Sequence, residues 1–213
     1  MAYYPMFLEV KGRQCLVVGG GRIAARKVEG LLAAEARVSV ISPSLEPDLA
    51  RLKAERRINH LPRHYQHGDL KGYALVIAAT DDEATNERVV QDARHSGVPV
   101  NVVDQPALCD FIVPSVIRRG DVVLAISTGG LSPALARWLR QELETYLSED
   151  FERLARLLAD VRVELRDRGV EVAPDAWQRA INRDLLELVA SNRMEEARQK
   201  VLSALGVGAK LKA

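Results

Sequence analysis

An α/β fold built around a doubly wound parallel sheet is the architecture this sequence predicts, and three observations predict it. Short apolar runs at Cys15–Val18, Val38–Ile41, Leu75–Ala79 and Val98–Val103 are hydrophobic on both faces, as parallel strands held between helix layers must be. The segments linking the first pair and the last pair carry helical spacing, with Ala24, Val28, Leu31 and Leu32 on one stripe and Val89, Val90 and Ala93 on another. The first run passes through Gly19-Gly20-Gly21 straight into a helix, the order of a βαβ nucleotide-binding unit. This sheet is expected to occupy residues 1–112.

In the pattern G-x-G-x-x-[GA], Gly19 permits the tight turn, Gly21 lets the backbone approach a pyrophosphate, and Ala24 takes the third position, where the helix packs on the sheet. Backbone N–H groups and the positive end of the helix would face the anion. The same residues also suit a tight strand-to-helix turn that binds nothing. The second strand ends Ile41-Ser42-Pro43-Ser44, so the acid expected about 20 residues after the glycines is missing. Ser42 or Ser44 can bond the ribose of NAD, and Arg22 or Arg26 can meet the extra phosphate of NADP; the motif alone leaves that choice open.

The next parallel strand ends Ala79-Thr80-Asp81-Asp82, which places Thr80 beside a cofactor and Asp81 or Asp82 at the cap of the following helix. Asp104 directly follows the strand Val100-Asn-Val-Val103, at the nicotinamide end of a bound dinucleotide. A carboxylate there can accept a proton or bind a cation, and equally can be a turn residue bonding its own loop amides.

After Pro114 the pattern changes. Ser115–Arg118 and Val122–Ser127 flank Arg119-Gly120-Asp121, a link of hairpin type. Ser132 suits an N-cap and Pro133 the first position of a helix with Leu135, Trp138, Leu139, Leu143, Tyr146 and Leu147 on one face. Between them Thr128-Gly129-Gly130 offers either a cradle of N–H groups for a carboxylate or phosphate, or a plain glycine turn. Arg118, Arg119, Arg137 and Arg140 lie close enough in sequence to complement an acidic substrate. From Ser148 on the chain reads as all-helical, with starts expected at Asp175 and Asn192, and with residues 206–213 frayed. The expected organisation is therefore 1–112, 113–147 and 148–213.

Thirty Lys and Arg against twenty-nine Asp and Glu leave a net charge of +1, so no global field favours nucleic acid or a membrane surface. No apolar run approaches the roughly 20 residues of a bilayer span, and the start lacks a secretory pattern, which makes the cytoplasm the expected compartment. Cys15 and Cys109 show no pairing or metal spacing and read as buried small residues. His60, His64 and His67 cluster in sequence, but Pro62 and Gly68 break any regular alignment, so a wet strand and loop is expected there, not a metal site.

With these positions in hand, the chain closely resembles the dehydrogenase and ferrochelatase module of siroheme synthase. The resemblance rests on Tyr4-Pro5-Met6-Phe7, Val17-Val-Gly-Gly-Gly21 with Ala24 and Arg26-Lys27, Ala78-Ala-Thr-Asp-Asp82, Asn101-Val-Val-Asp104, Phe111-Ile-Val-Pro-Ser115 and Ser127-Thr-Gly-Gly-Leu-Ser-Pro133. It implies a Rossmann-type sheet, oxidation of precorrin-2 to sirohydrochlorin with NAD, and in many members insertion of ferrous iron to give siroheme. It also implies a homodimer joined through residues of about 113–147, with the helical tail over the substrate cleft. The family's key aspartate falls on Asp104, and its nucleotide contacts fall on Arg22, Ile23, Pro43 and Ser44, favouring NAD. Precorrin-2 is a polycarboxylate, which Thr128, Gly129, Gly130 and Arg118 are expected to meet.

Two features depart from the family. The chain ends at Ala213 without the methyltransferase domain of fused relatives, so precorrin-2 is expected from a separate enzyme. Thr128 stands where some relatives have serine, adding a methyl to the hydroxyl. The competing reading from another class is a non-catalytic NAD(H) sensor, which would have no use for Asp104; a dehydrogenase without chelatase activity is the other alternative.

Overall fold

The computed structural model describes residues 3–207 and divides into two units, Met1–Val113 and Pro114–Ala213. The first carries the strands β1 (Gln14–Val18), β2 (Arg37–Ile41), β3 (Ile58–Leu61), β4 (Leu75–Ala78) and β5 (Val100–Val102), and the helices α1 (Arg22–Ala33), α2 (Pro47–Ala54) and α3 (Glu83–Ser96). The strands pair in parallel in the order β3-β2-β1-β4-β5. That is the doubly wound, Rossmann-like sheet, with its switch of direction at β1.

Alternation along each strand explains why both faces are apolar. Cys15, Val17, Val38, Val40, Leu75 and Ile77 point into one core with Ala24, Val28 and Leu31 of α1 and Leu49 of α2. Leu16, Val18, Ile41, Val76, Ala78, Val100 and Val102 point into the other with Val89, Val90 and Ala93 of α3. Register then levels the strand ends: Val18 pairs with both Ile41 and Ala78, and Ala78 with Val102. Ladder bonds continue one residue further, from Gly19 N–H to the Ile41 carbonyl (2.9 Å), Ala79 N–H to Val18 (2.8 Å) and Val103 N–H to Ala78 (3.0 Å). The four loops after β1, β2, β4 and β5 therefore leave the sheet side by side at its carboxyl edge.

β3 and α2 add to the sequence expectation. The stretch around His60 proves to be a parallel edge strand, and α2 is capped by Glu46, whose carboxylate accepts the Leu49 N–H at 3.1 Å.

In the second unit β6 (Ser115–Arg119) and β7 (Val122–Ile126) form an antiparallel hairpin, followed by α4 (Pro133–Tyr146), α5 (Asp150–Asp167), α6 (Pro174–Ala180), α7 (Arg183–Ala190) and α8 (Met194–Ala204). Ser132 caps α4 by accepting the Leu135 N–H, as its position in the sequence indicates. The starts expected at Asp175 and Asn192 are corrected. Asp175 lies inside α6 and pairs with Arg179, while Asn192 (φ 57°) adopts the left-handed backbone that ends α7. The cap that the sequence reading missed is Asn182, whose side chain accepts the Leu185 N–H at 3.0 Å. Of the stretch 206–213 expected to fray, Gly206 and Val207 instead close α8 with N–H bonds to Ser203 and Leu202, and residues 208–213 lie outside the described residues. Leu154, Leu157, Val161, Leu185, Val189, Ala197 and Val201 form this unit's core.

Among the described residues no helix is long and apolar enough to cross a membrane.

Candidate functional site

A cavity of about 490 Å³ opens at the carboxyl edge of the sheet, between the loops that follow β1, β2, β3 and β4. Its floor is Gly19, Gly20 and Gly21. Gly19 has φ 125°, and a Cβ there would lie 2.2 Å from the Ala79 carbonyl oxygen, so the turn requires glycine for the fold itself. Gly20 is equally confined, with a Cβ 1.9 Å from the Ser44 carbonyl oxygen. Gly21 differs: its backbone is extended and a Cβ would meet nothing within 4 Å. It is also the N-cap of α1 and supplies no side-chain cap, so the first amides of that helix face open space. Unpaired amides at the positive end of a twelve-residue helix, above a glycine floor, fit a pyrophosphate.

Of the residues expected to hold the cofactor, Gly19, Gly21, Arg22, Ile23, Pro43 and Thr80 line this cavity. Ser44 does not; its carbonyl accepts the Ser42 hydroxyl and packs against Gly20. Thr80 is set by three bonds, its hydroxyl accepting the Asp82 N–H (2.8 Å) and donating to the Asp82 carbonyl (3.3 Å), and its carbonyl accepting Asn86 Nδ2–H (3.0 Å). Asp82 takes the N-cap position of α3, where the Thr85 hydroxyl holds its carboxyl below the usual range.

The wall that sequence reasoning missed is Arg63, His64 and Tyr65, which follow β3. Arg63 is tied to Asp69 by two bonds of 2.7 Å, which hold the Asp69 carboxyl below its ordinary value. Tyr65 donates to Asp92 at 2.7 Å, and His67 Nδ1–H donates to the same carboxylate at 2.6 Å. Burial alone would push Asp92 upward, but these two donors outweigh it and hold the carboxyl low. The signal that could have revealed this wall was a second βα connection hidden behind polar residues. His60 Nε2–H meanwhile donates to the Ser42 carbonyl at 2.9 Å, so the three neighbouring histidines serve three different places.

Asp104 leaves β5 with φ 59°, a left-handed backbone that costs a non-glycine residue roughly 1–3 kcal/mol. What sustains it is a fold-back of the following loop. Cys109 Sγ accepts the Val102 N–H at 3.1 Å, Asn101 Nδ2–H donates to the Phe111 carbonyl at 2.9 Å, and the Asp110 carboxylate accepts the Val100 N–H at 3.0 Å. Cys109 is therefore a structural hub, and burial raises its thiol above the ordinary range. The Asp104 side chain is exposed and has no hydrogen-bond or ion-pair partner among the described residues, so the turn-forming alternative gains no support.

In the second unit the anion cradle is narrower than its sequence indicates. Thr128 Oγ1 donates to the Ser132 carbonyl and accepts the Ser132 N–H, both at 3.0 Å, and the Gly129 N–H is spent on Ser127 Oγ. Gly129 and Gly130, at φ 63° and 86°, shape the turn. Arg119 and Arg140 are engaged by Glu144, which leaves Arg118 and Arg137 as the exposed cations of the four.

Level strand ends, a glycine floor and an open helix terminus define a dinucleotide-binding α/β protein. The chain belongs to the family described as "Putative NAD(P)-binding", which matches residues 6–115, and residues 119–146 match "Sirohaem biosynthesis protein central". It is 45% identical to a siroheme synthase of Thioalkalivibrio sulfidiphilus over 210 residues, covering 98% of this chain and 43% of that protein. A siroheme synthase of Methylococcus capsulatus is 43% identical over 214 residues, covering 99% and 45%. The chain thus spans under half the length of these curated relatives. Among solved structures it is similar to "SirC, precorrin-2 dehydrogenase", with a TM-score of 0.71 and 25% identity over 98% of this chain and 100% of that one. The resemblance to siroheme synthase read from the sequence holds in these matches, and the cofactor is a nicotinamide dinucleotide, in accord with the NAD expected.

Proposed function

We propose that this chain oxidises precorrin-2 to sirohydrochlorin with NAD, and that Asp104 is the catalytic acceptor of the proton released. The observation that carries the reading is Asp104 itself: an unpartnered carboxylate on a strained backbone, locked by its loop at the end of β5. Bound NAD supplies an acceptor for hydride. The chain's own residues do the rest. The α1 amides and Gly21 hold the pyrophosphate, Thr80 borders the nicotinamide half, and Pro43 with the β2 exit borders the adenosine half. Loss of hydride from the macrocycle leaves a proton to be removed, and Asp104 takes it as general base. The reaction balances as precorrin-2 and NAD+ going to sirohydrochlorin, NADH and a proton.

The same exposed carboxylate is suited to a second step, in which ferrous iron enters as substrate and two pyrrole protons leave. Of Thr128, Gly129, Gly130 and Arg118, the exposed Arg118 and the Gly130 turn meet the substrate's carboxylates on the second unit, Thr128 and the Gly129 N–H being engaged within the loop. Working as a cytoplasmic homodimer completes the proposal. Its support is the apolar stripe of α4, where Leu135 is 46%, Trp138 53% and Tyr146 66% exposed and only Ala136 is buried.

The test is an anaerobic assay with precorrin-2 and NAD+, followed by addition of ferrous ion. NADH formed in step with sirohydrochlorin is expected, and metal-dependent loss of the sirohydrochlorin spectrum faster than a no-enzyme control would establish chelation. Asp104→Ala should bind NAD normally and lose turnover. NAD binding without any NADH formation by the unaltered protein would instead favour the sensor.

A further inference from the structure

We propose that Asp69 sets the preference for NAD over NADP by withholding Arg63 from a ribose 2′-phosphate; this rests on the reading that the cavity holds a dinucleotide with its adenosine half at the β2 exit. Sites of this fold commonly select NAD with an acid at the end of the second strand, which bonds the ribose 2′-hydroxyl. Here β2 runs into Ser42-Pro43-Ser44 and has no such acid. The loop after β3 supplies one, acting through Arg63.

Backbone geometry places Arg63 beside the β2 exit. Ile41 pairs with Leu61, and the Leu61 carbonyl accepts both the Ser42 N–H (3.3 Å) and the Arg63 N–H (2.9 Å), so the two residues hang from one oxygen. His60 Nε2–H donates to the Ser42 carbonyl at 2.9 Å and ties the two strand exits together again. Ser42, Pro43 and Arg63 accordingly line the same cavity. A guanidinium at that place suits a phosphate, unless it is already taken.

Asp69 takes it. Nη1–H and Nη2–H of Arg63 donate to separate oxygens of the Asp69 carboxylate, each at 2.7 Å, and Nη1 donates also to the His64 carbonyl at 3.1 Å. The carboxylate accepts the Gln66 N–H at 2.8 Å as well, and the next residue, Leu70, is fully buried in the second core of the sheet, so the acid is anchored at both sides. The Asp69 side chain is only 14% exposed, and drawing Arg63 away would leave its charge poorly solvated and unpaired. A 2′-phosphate therefore meets a neutralised cation and a carboxylate of its own sign, whereas a 2′-hydroxyl needs neither. Arg22, the other arginine lining the cavity, opens α1 next to Gly21, at the pyrophosphate.

The experiment measures NAD+ and NADP+ affinity by calorimetry for the unaltered protein, for Asp69→Asn and Asp69→Ser, for Arg63→Met and for the Arg63→Met, Asp69→Ser pair. The unaltered protein is expected to bind NAD+ about thirtyfold or more tightly than NADP+. Asp69→Ser should tighten NADP+ about tenfold or more while NAD+ stays within about threefold, and Asp69→Asn, which can still accept one arginine bond, should gain less. Arg63→Met alone should bind NADP+ no more tightly than the unaltered protein, and adding it to Asp69→Ser should abolish the gain. Retained NAD+ binding shows that a variant is folded. An unchanged NADP+ affinity in Asp69→Ser, or a parallel loss of both dinucleotides in both Asp69 variants, overturns the assignment. A gain that survives Arg63→Met overturns it too, giving the phosphate to Arg22. Failure of the unaltered protein to bind NAD+ would instead sink the reading of the cavity itself.

Discussion

At Gly20 an added Cβ would lie 1.9 Å from the Ser44 carbonyl oxygen, whereas at Gly21 it would meet nothing within 4 Å. Neighbouring glycines therefore answer to different demands, one to the fold and one to the ligand. Gly20→Ala is expected to destabilise the protein by about 2 kcal/mol or more in urea unfolding, because backbone must shift. Gly21→Asp should leave the melting temperature nearly unchanged and abolish NAD binding by calorimetry, since it puts a negative charge where the pyrophosphate lies. Unaltered NAD affinity in that variant would remove the phosphate site from α1. Asp92 gives a pH prediction. Its carboxyl is held below the ordinary value by Tyr65 and His67 against the effect of burial, so its stabilising contribution is complete above about pH 4 and disappears as pH falls through the lower folded-state value. The stability advantage of the wild type over Asp92→Asn should accordingly be present at pH 7 and close in strong acid, measured as the difference in unfolding midpoint. The glycine motif and Asp104 were legible because strand, turn and helix follow in one unbroken stretch. Arg63, Tyr65 and Asp92 were not, because the bonds joining them span distant parts of the chain.

The elements most readable in the sequence were those whose signal is continuous and local. β1, β2, β4 and β5 are apolar throughout, and α4 announces itself by Ser132-Pro133 before a regular stripe. β3 was read as a wet surface strand and not as a member of the parallel sheet, because an edge strand needs only one well-buried residue, here Ile58, and the rest is polar. The misplaced starts in the helical unit have one cause: a capping box requires its first residue outside the helix, and Asp175 is already within α6. Asn182→Ala should therefore cost about 1 kcal/mol, read by thermal unfolding, because the Leu185 N–H loses its acceptor at a buried position. Asp175→Ala should leave the melting temperature nearly unchanged, its pairing with Arg179 being exposed. Equal losses at the two sites would overturn the assignment of caps.

For the molecule as a whole, the proposed dimer would cover the exposed apolar residues of α4. Trp138→Glu is expected to convert a dimer to a monomer in light scattering while leaving the dinucleotide affinity of the first unit within about twofold; a wild-type monomer would refute the dimer outright. The sequence argues for association only through family resemblance, because the spacing of α4 looks the same whether its stripe meets a core or a second copy. The fold-back that fixes Asp104 also bears on how the protein is made. β1 lies at the centre of the sheet and pairs with β4, and β5, paired with β4, is tied further by Asn101 Nδ2–H donating to the Phe111 carbonyl. On the ribosome, a nascent chain that has emerged only as far as β3 holds β1 with one open apolar edge. The Asn101–Phe111 bond can form only after Phe111 clears the exit tunnel, so the segment that carries Asp104 is also the last of the first unit to be fixed during synthesis.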